Sequence, residues 1–134
     1  MKENVLLTIT SLLTIVLVTF HLSDEITRGM ERGGLNMVIP ILILAGWMYG
    51  ALALSGRRSG YIILLLGAII GTGIPILHMS GAAGLVSSRI ANSRGAFFWV
   101  WQNFTLGTIS ACSLILAAHG LWGLSWRRAG KVPN

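Results

Sequence analysis

The side chains of this chain that could carry chemistry are histidines and carboxylates near the ends of apolar stretches. His21, Asp24 and Glu25 are spaced three and four residues apart, so one helix face can present an imidazole beside two carboxylates. His78 closes a later apolar stretch. Imidazole and carboxylate groups together can bind a metal ion, relay protons or line a polar pocket. We therefore take His21, Asp24, Glu25 and His78 as candidate ligand or metal residues, without assigning a catalytic residue or a cofactor.

Four long apolar stretches must position these groups. They cover about residues 5–22, 37–55, 61–79 and 96–124. A helix needs about 20 apolar residues to cross a hydrocarbon core of about 30 Å, and each stretch falls within or above that range. Hydrophobic residues make up 54% of the chain and charged residues 10%, more apolar surface than a soluble domain of this size could bury. The sequence therefore predicts an all-α integral membrane four-helix bundle of up-and-down topology, with residues 1–134 as a single domain.

Basic residues flanking the stretches predict the orientation. The side that holds both termini has a larger excess of basic residues than the opposite side, which also carries acids. Because basic residues in short loops stay cytoplasmic, we expect both termini inside and the two longer loops outside. The net charge of +6 then reflects orientation and contact with anionic membrane lipids, and no nucleic-acid partner is expected. The basic residues are Lys2, Arg57, Arg58, Arg127, Arg128 and Lys131 on the terminal side, and Arg28, Arg32, Arg89 and Arg94 opposite.

Small residues at helical spacing mark the faces on which the helices should pack. Gly46 and Gly50 are four residues apart in the second stretch, as are Gly67 and Gly71 in the third, while Gly107 lies on the small-residue face of the fourth. Such seams allow close approach of helix backbones. We expect them to join the helices of one chain, with a homo-oligomer or a larger membrane complex as a further possibility.

Tryptophans lie near both ends of the fourth stretch. Trp99 and Trp101 fall near its outer boundary, and Trp122 and Trp126 near its inner one. Amphipathic rings are enriched at membrane interfaces, so this placement favours an aromatic belt.

Several chemistries are compatible with the cluster formed by His21, Asp24, Glu25 and His78 at the outer end of the bundle. Two imidazoles with carboxylates suit zinc or iron, a bis-histidine haem would find room beside the glycines of the third stretch, and a quinone or lipid headgroup needs only a polar cap, to which Gln102 and Asn103 could contribute. A histidine bonded to a carboxylate one turn away is equally a way to end a helix at the interface. The single Cys112 excludes disulfide chemistry within the chain.

Two functional hypotheses follow. The first is a non-enzymatic accessory or small-ligand-binding bundle with a polar His/carboxylate cluster at its outer face. The alternative is a membrane oxidoreductase or transport component that binds haem, metal or quinone at His21 and His78.

Several strings of the sequence resemble a group of small, uncharacterised four-helix bacterial membrane proteins. The resemblance covers nearly the whole chain and implies a location in the bacterial inner membrane, without implying an activity. The strings are His21–Gly29, Trp47–Gly50, Arg57–Tyr61, Pro75–Met79 and Ser93–Trp101.

Overall fold

The computed structural model describes residues 2–29, 34–79 and 95–129, in which all regular structure is helical. Helix α1 is Lys2–Thr27, a 3₁₀ helix at Gly34–Met37 leads into α2 at Val38–Leu52, α3 is Arg58–Met79, and α4 is Ala96–Ala129. The four predicted spans are confirmed as helices, each long and apolar enough to cross a membrane. The chain is therefore a multi-pass membrane protein, and α1 and α4 extend a turn or more beyond their apolar stretches.

Large apolar side chains lie mainly on the outside of the bundle. Leu42, Ile69 and Ile115 are each more than half exposed. The fully buried positions are instead often small or hydroxylated, as Ser110 and Ser113 show. This distribution suits a helix bundle in lipid, where tails cover the apolar surface and small residues let the helices approach.

Helices α1 and α3 make contacts in the same chain order. Near their starts, the Tyr61 hydroxyl donates a hydrogen bond to Asn4 Oδ1. Ten residues further along both helices, Gly71 faces Thr14, whose Cγ2 would lie 2.8 Å from a Cβ placed on the glycine. The two helices therefore run parallel, and residues the same number of positions beyond Asn4 and Tyr61 lie at the same depth in the bundle.

Helix α4 packs on α3 in the opposite order. A Cβ on Gly120 would lie 2.1 Å from the Tyr61 ring, and one on Gly71 would lie 2.5 Å from Ser110 Oγ. Further along α3, Pro75 Cγ is 3.0 Å from the Cβ position of Gly107. The early part of α4 therefore faces the late part of α3.

The remaining glycines of the predicted seams differ in how closely neighbouring side chains approach them. A Cβ on Gly50 would meet the Ile63 side chain at 2.6 Å, and one on Gly67 would meet the Trp47 ring at 2.3 Å. Gly46 differs from the prediction, because it is exposed and no neighbouring atom of the described residues lies within 4 Å of its Cβ position. It borders an open apolar groove between α2 and α3, so the two helices do not meet closely there.

The aromatic belt forms only in part. Trp101, Trp122 and Trp126 are each more than half exposed, as expected of rings at a membrane interface. Trp99 is only 2% exposed, so its assignment to the belt was wrong. It lies on the opposite side of α4 from Trp101 and turns into the bundle.

Candidate functional site

Two histidines and one glutamate converge between α1 and α3. The Nε2 atoms of His21 and His78 are 2.9 Å apart. Glu25 Oε1 lies 3.3 Å from His21 Nε2 and 3.4 Å from His78 Nε2, so the three atoms form a nearly equilateral triangle. The exposed fractions are 2% for His21, 5% for His78 and 12% for the Glu25 side chain. Three potential ligand atoms thus meet at a largely buried position between the two helices.

The register of α1 against α3 brings the two histidines together. Thr14 and Gly71 are in contact, and His21 and His78 each follow seven residues later. Seven residues are close to two helical turns, which returns a side chain to nearly the same face. Because the helices run the same way, the two imidazoles reach the same level on facing sides.

Glu25 joins the cluster because it lies one turn after His21 on the same face of α1. Asp24 does not join it. Its carboxylate Oδ2 accepts a hydrogen bond from Arg28 Nε at 2.7 Å, an ion pair one turn along α1. The expectation that both carboxylates belong to the site is therefore corrected, because the helical row through Asp24 leads to Arg28 instead of to the histidines.

Helix α4 closes the site from the side. The Trp99 ring packs edge-on against the His78 imidazole, with centroids 5.3 Å apart and planes at 89°. Gln102 Nε2 donates to the Leu17 carbonyl across the α1–α4 contact, and Asn103 Nδ2 donates to the Trp99 carbonyl within α4. The role of Trp99 was missed in the sequence. Its signal was the spacing to Asn103, one turn later on the polar face of the same helix.

Five buried polar atoms around the cluster find no hydrogen-bond partner among the described residues. They are the Nδ1 atoms of His21 and His78, Trp99 Nε1, Gln102 Oε1 and Asn103 Oδ1. Buried polar atoms in folded proteins ordinarily have a partner, including ordered water. Donors and acceptors are both present in this set, so bound water or a ligand can satisfy them.

The triangle itself places electron pairs at its centre. If each imidazole carries its proton on Nδ1, both Nε2 lone pairs point at each other and at a carboxylate oxygen. If one Nε2 carries a proton, it can donate that proton to the other Nε2 or to the Glu25 oxygen, and the remaining acceptor is left without a donor within the triangle. A shared proton or a cation bound to all three atoms would complete the arrangement.

Comparison of the chain with known protein families, with curated proteins and with solved structures gave no match.

Proposed function

We propose that this protein is a membrane-embedded metal-binding bundle, in which His21, Glu25 and His78 hold one divalent transition-metal ion. The observation that carries the proposal is the buried convergence of two imidazole nitrogens and one carboxylate oxygen within 3.4 Å of one another. The proposal names a transition-metal ion as the ligand of the small-ligand-binding bundle expected from the sequence, and it assigns no catalytic activity.

The triangle has the dimensions of a metal's inner ligand shell. Atoms bound to one ion at about 2.0–2.1 Å are separated by about 3.3 Å in tetrahedral coordination and by about 2.9 Å between neighbours in octahedral coordination. The observed separations are 2.9, 3.3 and 3.4 Å. An ion could enter with shifts of a few tenths of an ångström, so the helices need no rearrangement.

The ligand set favours zinc or ferrous iron. Two imidazoles and a carboxylate are typical of zinc sites and of non-haem iron sites that keep positions open. A bis-histidine haem fits poorly, because its axial nitrogens must stand about 4 Å apart, twice a metal–nitrogen bond of about 2 Å, on opposite faces of a large macrocycle. Here the two nitrogens are only 2.9 Å apart, and both lie within 3.4 Å of one Glu25 oxygen, which leaves no space for a macrocycle between them.

We also propose an orientation. Helix α1 packs on α3 in the same chain direction and α4 packs on α3 in the opposite direction, which is compatible with an up-and-down bundle. The excess of basic residues beside the termini favours a cytoplasmic location for both ends. The metal site then lies at the periplasmic end of the bundle in a bacterial inner membrane. This placement would expose it to metal ions from the periplasm.

Metal titration of the full-length protein tests the proposal. Protein purified in detergent and stripped with a chelator should bind about one equivalent of Zn²⁺, or of Fe²⁺ under anaerobic conditions. His21→Ala, His78→Ala and Glu25→Gln should each weaken binding by more than about 100-fold, since even outer-shell changes cost about 10- to 100-fold. The double histidine variant should add little to either single one, because the two residues serve one site.

Asp24→Asn is the matched control. It removes a carboxylate next to Glu25 on the same helix, but that carboxylate is paired with Arg28. Metal affinity in Asp24→Asn should stay within a few-fold of the native value. Stoichiometric binding that survives in His21→Ala, or equal losses in Asp24→Asn and Glu25→Gln, would show that the triangle is only a packing arrangement.

A further inference from the structure

A lateral groove runs between α3 and α4 on the lipid side of the bundle. Its walls are formed by Pro75 and Ile76 of α3 and by Asn103, Phe104 and Gly107 of α4, and its volume is about 570 Å³. Two threonines, Thr72 and Thr108, also line it, but their hydroxyls donate to carbonyls of their own helices. This lies within the range of about 300–1,000 Å³ typical of small-molecule sites. Ile76 and Phe104 are each about 60% exposed, so the groove opens toward lipid. Its occupant would come from the membrane.

One buried polar atom in the wall has no hydrogen-bond partner among the described residues. Asn103 is 1% exposed, and its Nδ2 donates to the Trp99 carbonyl at 3.0 Å. That bond identifies the other amide atom as the oxygen. Asn103 Oδ1 therefore offers an unpaired acceptor next to the groove.

We propose that the groove binds the ring of a membrane-dissolved hydroquinone, whose hydroxyl donates to Asn103 Oδ1. Apolar walls select a molecule that dissolves in lipid, and the Phe104 ring offers an aromatic face against which another ring can pack. The acceptor selects the reduced form, because a hydroquinone has hydroxyl donors whereas an oxidised quinone presents only acceptors. Because Oδ1 is buried in the wall of the groove, binding requires a local movement of the wall side chains.

The position of the groove connects it with the His/Glu cluster. Pro75 lies three residues before His78 on α3, and Asn103 lies four residues after Trp99 on α4. The ring would thus bind about one helical turn, roughly 5 Å along the axis, from the imidazole that Trp99 contacts. Binding here does not depend on the metal, so the two proposals can fail separately.

The test uses the full-length, metal-free protein in lipid nanodiscs under anaerobic conditions, with a reductant present only in the samples that contain the hydroquinone. The probes are decylhydroquinone, its dimethyl ether, which keeps the ring but lacks both donors, and decylbenzoquinone. Tryptophan fluorescence quenching should show saturable binding of the hydroquinone, and binding of the other two probes should be at least about 10-fold weaker. This comparison needs no variant, so it holds even if a substitution impairs folding.

Two variants locate the site. Asn103→Leu should weaken hydroquinone binding by at least about 10-fold and leave the weak binding of the ether unchanged. Thr105→Val is the matched control, since Thr105 lies on the same helix outside the groove lining and, like Asn103, its side chain donates to a carbonyl one turn earlier. Equal binding of hydroquinone and ether, quenching that never saturates, or an equal loss in Thr105→Val would overturn the proposal.

Discussion

A single methyl group on Gly71 should disturb both the stability of the bundle and the metal site two turns away. In Gly71→Ala, the new Cβ would lie 2.5 Å from Ser110 Oγ and 2.8 Å from Thr14 Cγ2. Serine can rotate its hydroxyl away, but Ser110 Cβ stays 3.2 Å from the methyl position. Thr14 is less free, because its hydroxyl donates to the Thr10 carbonyl and rotation would break that bond. The helices themselves must therefore move apart.

The size of the effect follows from these distances. Carbon atoms in ordinary contact are about 3.5–4.0 Å apart, so Thr14 must retreat by about 0.7 Å or more. Overpacking of this kind costs about 1–3 kcal/mol. His21 lies seven residues beyond Thr14 on the same helix, while a metal site tolerates displacements of only about 0.2 Å. Gly71→Ala should therefore lose metal affinity as well as stability.

Gly73→Ala is the control, because Gly73 lies in the same helix and no neighbouring atom in the part of the chain that the structure describes is within 4 Å of its Cβ position. Both variants gain about 0.5–1 kcal/mol from replacing glycine in a helix, so their difference isolates the overpacking. Reversible unfolding in mixed detergent should find Gly71→Ala less stable than Gly73→Ala by about 1–3 kcal/mol, with weaker Zn²⁺ binding only in the former. If the two variants were equally stable, the close approach of α1, α3 and α4 at Gly71 would be refuted.

Two further predictions concern the opposite end of the bundle. Reactive cysteines introduced at Ser59 and at the C-terminus should be labelled only from the cytoplasmic side by membrane-impermeant reagents, because that side carries the larger basic excess; periplasmic labelling of either would reverse the orientation. Tyr61→Phe should lower stability by about 0.5–1.5 kcal/mol through loss of the hydrogen bond to Asn4, whereas Tyr49→Phe, at a side chain 59% exposed to lipid, should change it little. Equal effects of the two tyrosine changes would show that the bond to Asn4 contributes nothing.

The helices could be predicted from sequence because each apolar stretch is long enough to span a bilayer by itself. The pairing of His21 with Glu25 was also visible, since spacing within one helix fixes which side chains share a face. The approach of His78 could only be a hypothesis. It depends on how α1 and α3 slide against each other, and that register is set by the contacts at Thr14 and Gly71 rather than by either helix alone.

The errors in the sequence analysis have a common cause. Trp99 and Gly46 were assigned from their position along the chain, near a membrane boundary and in a four-residue glycine repeat. What decides their environment is how the neighbouring helices pack around them. Trp99 shares the side of α4 that carries Asn103 and turns inward, whereas Gly46 borders an open groove between α2 and α3. Position along a helix gives depth in the membrane, and rotation about its axis gives the neighbours.

The same rotation separates the two carboxylates of the candidate site. Side chains on a helix lean toward its N-terminus, so a residue four positions after His21 leans back over it. Glu25 occupies that position and has the longer side chain, which lets one oxygen reach both imidazoles. Asp24 is one residue earlier, about 100° round the helix, and its own neighbour four positions on is Arg28. Asp24 and Glu25 thus lie on different faces of α1. Asp24 pairs with Arg28, and Glu25 faces the two histidines, where a bound cation would complete the group.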